Sequence, residues 1–491
     1  MDDKTQVKTP GNQEVSRSRG LTDDKIYVKP LEKEELTRGL KRRHLVMIAL
    51  GSAVGTGLFY GSARVIQTAG PAAILPYIII GAAFYFATRA LGEMCAAEPV
   101  SGGEVAFADR YLGKFWGFLL GWNALLVQLA EPAAAFNALG HYIQFWIPTA
   151  PIWVTAAVGV VFITIVNVIT VSIYGEIEYW FASIKVTTIS LMIIGGFSII
   201  LFGICNHGVP MGFGNLVQHG GFFPHGVMGM LMTLVLVTFA YGGTQNVGVA
   251  AGEVRDPAKS IPQATKGVLW RIIIFYVGAI TVLVTLFPWD KVATTGSPFV
   301  LVFDKIGIPA AAAVLNIVVI TAVLSNLNGN VYYNSRKLYK LSLQGNAPAV
   351  LSKVTARGTP YVGVLVVIGA QLFGVLMNYI IPHKAFYYFA SITAGKNIVA
   401  CLCILISQYN FRKIKIHNNE EDKVLFKMPF WPYSTYFTLG IFAVVIVTMA
   451  ISKDMWLPLI VVPIWIAILY VSYRFTVAKR NAVLGASAAG K

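Results

Sequence analysis

Twelve stretches of the chain are rich in apolar residues and poor in charge: 44–66, 72–96, 116–145, 152–174, 184–205, 227–250, 270–289, 308–342, 361–381, 385–408, 434–452 and 455–476. Each approaches the roughly twenty apolar residues with which a helix crosses a bilayer, and twelve such spans use roughly 260 residues. In hydrocarbon the backbone must satisfy its own hydrogen bonds, which leaves helices as the spanning structure. The pattern therefore predicts an all-α polytopic membrane protein with twelve transmembrane helices. Composition points the same way, with 56% hydrophobic and 13% charged residues in 491. A soluble chain of this size carries about a quarter charged residues to cover its surface.

Lys and Arg outnumber Asp and Glu by 39 to 23, a net charge of +16. In a soluble protein that excess would suggest nucleic acid; here it falls between apolar runs, so the lipid bilayer is the partner and nucleic acid is not. Basic residues gather in the first tail and in the loops on its side, such as Lys41, Arg110, Lys259, Arg336 and Arg412. By the positive-inside rule both termini are cytoplasmic. Residues 1–40 read as a disordered cytoplasmic tail and 477–491 as a second tail, with no cleavable signal. Cys95, Cys205, Cys401 and Cys403 form no disulfide pattern. His207, His219 and His225 have spacings unlike those of zinc sites.

Two runs are interrupted by small residues, at Gly51-Ser52-Ala53-Val54-Gly55-Thr56-Gly57 and at Phe239-Ala240-Tyr241-Gly242-Gly243-Thr244. A glycine costs a helix interior about 1 kcal/mol against alanine. Clusters at corresponding places five spans apart point to discontinuous helices in a transporter built from inverted repeats. For Gly51 and Gly55 the other reading is a close-packing GxxxG face. In the first reading, half-helix ends expose N–H groups near Gly55, Thr56 and Gly57, and carbonyls near Ala49 to Ser52. The second break exposes the carbonyls of Phe239, Ala240 and Tyr241 and the N–H groups of Gly243 and Thr244. N–H groups at a helix start suit a carboxylate and free carbonyls suit an ammonium group. Together they suit a zwitterion such as an α-amino acid.

The segments "KRRHLVMIALGSAVGTGLF", "LGEMCAAEPVSGG", "GEIEYWFASIKVTTI", "FAYGGTQNVGVAAGEVRDPAKSIPQA", "SPFVLVF" and "SRKLYKLSLQGNAP" resemble the bacterial amino acid permeases of the amino acid–polyamine–organocation superfamily. The likeness runs from about Lys41 to Tyr473. "GSPFVLVFDKIGI" and "LNIVVITAVLS" look most similar to permeases for aromatic amino acids, proline and histidine. The resemblance implies a five-plus-five inverted repeat, with 41–205 as the first repeat, 206–410 as the second and 411–476 holding spans 11 and 12. It also implies proton-coupled import of an amino acid, of neutral, aromatic, proline or histidine type, across the bacterial inner (plasma) membrane. The span 1 motif (Ser52, Ala53, Gly55, Thr56, Gly57) would take the substrate carboxylate. The span 6 motif (Phe239, Ala240, Tyr241, Gly243, Thr244) would take the ammonium group and side chain. The coupling ion is a proton, with no other cofactor and no metal.

Ionisable residues inside apolar spans are functional candidates by default. Lys185 opens span 5, where it either snorkels to the headgroups or takes up and releases a proton as the pocket opens. The resemblance implies the latter, because relatives carry lysine in the matching "IKVTT" motif in place of a sodium ion. Gly51 and Ser325 would be its neighbours. Glu131, one residue before Pro132 in span 3, either bonds to a neighbouring helix as a protonated carboxyl or faces the pocket as substrate contact or proton relay. Lys396 in span 10 departs from the family pattern: it would pair with Glu131, bind an acidic side chain or face water. Ser325, Asn326, Asn328 and Asn330 of span 8 are either interhelical bonds or pocket wall. The loop 98–113 reads as a short helix along the membrane interface, and 253–262 as a structured turn.

Transport leads the function classes. A channel filter needs rings of carbonyls or charges, and an enzyme needs clustered nucleophiles, metal ligands or carboxylate pairs; neither is present as a motif. An exchanger and a non-transporting amino acid sensor on the same fold are the alternatives.

Overall fold

The computed structural model describes residues 55–100, 102–169, 174–204, 207–244, 257–292, 297–300, 309–355, 359–452 and 454–489. Both predicted tails, apart from 477–489, lie outside these residues, as does the first part of span 1. Among the described residues every regular element is helical, and nine helices are long and apolar enough to cross a membrane. Two shorter apolar helices, Ile152–Val166 and Gly226–Ala240, accompany them.

In chain order the helices are α1 (Thr56–Phe59), α2 (Gly61–Ala69), α3 (Ile74–Ala97), α4 (Glu104–Tyr111), α5 (Lys114–Ile143), α6 (Ile152–Ile169), α7 (Tyr174–Phe202), α8 (Asn215–Gln218), α9 (Gly226–Met232), α10 (Leu234–Ala240), α11 (Pro257–Arg271), α12 (Ala279–Leu286), α13 (Pro309–Leu343), α14 (Tyr361–Ile380), α15 (Ala385–His417), α16 (Tyr433–Ile451) and α17 (Pro458–Ala489). A wide π-helical turn, Ile272–Gly278, joins α11 to α12.

Most predicted spans match a helix within a few residues at their start. Two helices begin well before their apolar run: α7 at Tyr174 and α11 at Pro257. Their first turns, "YGEIEYW" and "PAKSIPQATKG", are polar, so hydropathy marks the membrane-buried part of the helix and not its full length. Pro257 fits there because a proline's missing N–H costs nothing in a first turn. Lys185 accordingly lies well inside α7.

The centre of the bundle is α5, packed against α13, α14 and α15. Its buried face is made of Ala130, Ala133, Ala134, Ala138 and Gly140, and such small residues let neighbouring helices approach closely. The packing has a regular plan. α3 packs on α11, α5 on α13, and α6 on α14; α5 packs on α6 as α13 does on α14; α5 packs on α15 as α13 does on α7; α3 packs on α15 as α12 does on α7. At the periphery α17 and one face of α7 carry exposed Ile464, Ile468, Phe475, Leu191 and Ile194, the surface expected towards lipid.

The end of the bundle that holds α4 is rich in charge. Fully buried Glu93 of α3 accepts hydrogen bonds from Arg412 Nε (2.6 Å), Gln408 Nε2 (3.0 Å) and the Met428 backbone N–H (2.7 Å). Nearby Glu98 accepts from Arg110 (2.8 Å) and from the Tyr111 hydroxyl (3.0 Å). Burial, and then the Glu98 carboxylate, push the Tyr111 phenol well above its ordinary pKa. The short helix expected within 98–113 is α4, and it buries Glu104, Phe107, Ala108 and Tyr111 against α5 and α15.

Candidate functional site

The two predicted breaks are each seen from one side, and they meet. Gly55 is extended (φ −137°, ψ −155°) and α1 starts at Thr56. On the other element α10 stops at Ala240, Tyr241 leaves the helical range (φ −88°, ψ 1°), and Gly243 takes φ +85°, a conformation that favours glycine. A Cβ on Gly57 would overlap Ala240 Cα and lie 2.8 Å from Ala240 Cβ, so the start of α1 and the end of α10 touch only because residue 57 has no side chain.

Between these helix ends lies a cavity of about 60 Å³, room for about four to six waters. Glu131 of α5 and Asn326 of α13 stand on the α1 side. Asn326 donates to Glu131 Oε1 at 2.9 Å, and a Cβ on Gly55 would be 3.5 Å from Asn326 Nδ2. Asn397 of α15 stands on the α10 side, where a Cβ on Gly242 would lie 3.0 Å from its Nδ2, and the preceding residue, Lys396, also lines the cavity. Towards the charged end the wall includes the ion pair of Glu104 with Lys337 (3.3 Å). Towards the other end Phe239 packs edge-on against Phe386 (5.9 Å), which packs against Tyr60 (4.7 Å), itself stacked on His141. Phe239, Phe386 and Tyr60 are all buried.

Gly55, Thr56, Gly57 and Glu131 line this cavity, as do Phe239, Ala240 and Gly243. Ser52, Ala53 and Gly51 lie outside the described residues. Tyr241 is not in the wall. Its ring is fully buried away from the cavity, stacked on Tyr276 (4.4 Å) and near Phe84, with its hydroxyl donating to Tyr77 O at 2.8 Å. The break turns the chain at that residue, so its side chain packs on α3 and the π-turn instead of facing a ligand. Thr244 is also fully buried and outside the wall, with no hydrogen-bond partner for Oγ1 among the described residues. Of the carbonyls expected to be free, Ala240 O accepts from the Tyr276 hydroxyl (2.9 Å) and Phe239 O from the Gly242 N–H (3.0 Å). Each keeps a second lone pair for another donor.

Lys185 is fully buried, and its Nζ donates to Ser325 Oγ at 3.0 Å, so it does not snorkel to a surface. It stands behind the wall, not in it. Among the described residues no three His, Cys, Asp or Glu side chains gather closely enough to hold a metal ion. His225 instead bonds Thr68 O at 3.0 Å.

Comparison with known proteins settles the kind of molecule. The family model described as amino acid permease matches residues 44–484. The chain belongs to the amino acid permease family. It is 43% identical over 442 residues to the uncharacterized amino acid permease YtnA of Bacillus subtilis (strain 168), covering 90% of this chain and 95% of that one. It is 41% identical over 449 residues to the probable threonine/serine transporter YbxG of the same organism (91% and 97%), and 42% identical over 452 residues to the aromatic amino acid transport protein AroP of Escherichia coli O157:H7 (92% and 98%). The permease is thus a multi-pass membrane transporter by family, and not an enzyme.

Several wall residues of the permease were not legible as such in the sequence. Glu104 sits in what reads as a loop, and Lys337 reads only as one of many positive charges at the end of a span. Thr393, Asn334 and Asn397 look like ordinary interhelical polar residues. A polar residue recurring every four positions along α13 (Asn326, Asn330, Asn334) was the available signal, because that spacing puts all three on one helix face.

Proposed function

We propose that the permease imports a free amino acid together with a proton by alternating access. The observation that carries this reading is the meeting of a helix start and a helix end, Gly55–Gly57 and Phe239–Gly243, in the wall of one polar cavity. A helix start favours an anionic group and a helix end a cationic one, which is the charge pattern of a zwitterionic amino acid. The packing plan supports the inverted repeat: exchanging α3, α5, α6 and α7 for the helices five spans later reproduces the neighbour pairs. Residues 41–205 and 206–410 are then the two repeats, and 411–476 carries α16 and α17 outside them.

The charged end of the bundle, with Glu93, Glu98, Arg110 and Arg412, is on this reading the cytoplasmic side, with both termini there. The aromatic stack of Tyr60, His141 and Phe386 then closes the cavity from the outer side of the inner membrane. Proton coupling is assigned to Lys185 and Glu131. Burial of Lys185 against Ser325 supports this, since an ammonium held inside the protein is costly and a change of exposure shifts its proton equilibrium. The resemblance and the relatives' names make aromatic amino acids, proline, histidine, threonine and serine the first substrates to test.

Purified permease in proteoliposomes under an imposed pH gradient tests the reading. Uphill uptake in the wild type, and its loss in Lys185→Met with the protein still folded, is the expected result. Normal uphill uptake by Lys185→Met refutes the proton assignment. Counterflow without any response to the pH gradient indicates an exchanger, and binding without movement a sensor.

A further inference from the structure

The wall of the cavity holds the carboxylates Glu104 and Glu131 and, as donors, Lys337, Lys396, Asn330 and Asn397. Of the two lysines in the described wall, Lys337 is paired with Glu104. Lys396 has no hydrogen bond and no ion pair among the described residues, Glu131 included, although both face the same space. Beside it, Asn397 is 2% exposed and its Nδ2 lacks an acceptor among the described residues; so does Asn330 Nδ2 across the cavity. The two amide nitrogens lose their water without compensation, and natural structures rarely leave buried polar atoms in that state unless a ligand or water completes them; Lys396 is half-buried and faces the cavity. Two carboxylates share the wall with these donors: Glu131, held by Asn326, and Glu104, paired with Lys337.

We propose that Lys396, Asn397 and Asn330 form a side-chain subsite for amino acids that end in a carboxylate or a carboxamide. The proposal rests on the permease reading above and adds acidic and amide amino acids to the substrates named there. Three donors without a hydrogen-bond partner among the described residues line one cavity, Asn397 beside the α10 break, and a substrate side chain that carries an acceptor oxygen can satisfy them. A phenyl ring or a pyrrolidine would leave all three donors unsatisfied. A cavity of about four to six waters also suits a short polar side chain better than an indole.

The test is uptake and counterflow by the full-length permease in proteoliposomes, with labelled aspartate, glutamate, asparagine, glutamine, phenylalanine, proline and threonine. The acids and amides are expected to be carried best. Lys396→Met should lower their kcat/KM by about 10- to 150-fold, the worth of a hydrogen bond to a charged group, and leave phenylalanine and proline unchanged or improved. Lys396→Gln keeps a donor without the charge, so it should retain the amides and lose the acids. Thermal unfolding of each variant separates loss of the subsite from loss of the fold. Preference of the wild type for phenylalanine, proline or threonine, unaltered in Lys396→Met, overturns the subsite and leaves the permease reading intact. Failure to move any amino acid overturns both.

Discussion

Replacing Gly57 by alanine puts one methyl group where two helix ends meet. The new Cβ would overlap Ala240 Cα and stand 2.8 Å from Ala240 Cβ and 3.0 Å from Ala240 N. Carbon atoms rest at about 3.5–4.0 Å, so α1 and α10 must part by about 1 Å. The obstacle is main chain and cannot rotate aside, which places the cost near the top of the overpacking range, about 3 kcal/mol. Helix propensity cancels, because α1 is helical whether or not the breaks touch, so about 3 kcal/mol is about a 150-fold shift away from the conformation in which the breaks touch. If the substrate is gripped in that conformation, its apparent dissociation constant rises by up to the same factor. Gly369→Ala on α14, outside the cavity wall, is the control, because its Cβ would meet nothing within 4 Å. Equilibrium binding of labelled amino acid to detergent-purified permease measures both. A folded Gly57→Ala variant that binds within about threefold of wild type refutes the argument that the joined breaks make the site.

Other outcomes follow from the same geometry. Glu93→Ala leaves Arg412, which is 4% exposed, with only its longer pairing to Glu421 (3.5 Å), and should lower stability in thermal unfolding by about 3 kcal/mol, whereas the double change to methionine at 93 and 412 should recover most of it. Glu131→Gln and Asn326→Ala should each weaken substrate binding by about 1.5–3 kcal/mol, and the double variant by little more than either, because they share one hydrogen bond. Tyr241→Phe should cost about 0.5–1.5 kcal/mol of stability by losing the bond to Tyr77 O, yet leave the competition profile of the twenty amino acids unchanged. A changed profile would return Tyr241 to the pocket.

Hydropathy was a good guide to where helices run and a poor one to where they stop. α13 and α14 match their apolar runs closely, because the runs end on Gly, Pro or charge that also ends the helix. α15 runs on to His417 through "RKIKIH", a polar stretch that keeps helical propensity outside the membrane. The breaks were legible because glycine clusters oppose a helix interior, and Gly57 and Gly243 followed from them, whereas Glu131 stood out as an ionisable residue inside an apolar span. Tyr241 was misplaced for a local reason: side-chain direction is read from the 3.6-residue period, and a break ends that period. Glu104 and Lys337 were hidden because they reach the cavity from polar segments, where a charge is unremarkable in sequence and acquires meaning only once α4 folds under α5 and α15.

The wide turn at Ile272–Gly278 also sets the rotational phase of its helix. A π-turn holds one residue more than the α-helical path it replaces, and one residue corresponds to about 100° of rotation. The faces shown by α11 and α12 are therefore fixed independently on either side of it, and Tyr276 owes its aim at the Ala240 carbonyl to that extra residue. Deleting a single residue within 272–278 would restore an ordinary helix while swinging this hydroxyl through about a quarter-turn. The permease thus carries, at one end of a plain apolar rod, a spot where chain length by one unit controls whether the end of the neighbouring half-helix is held.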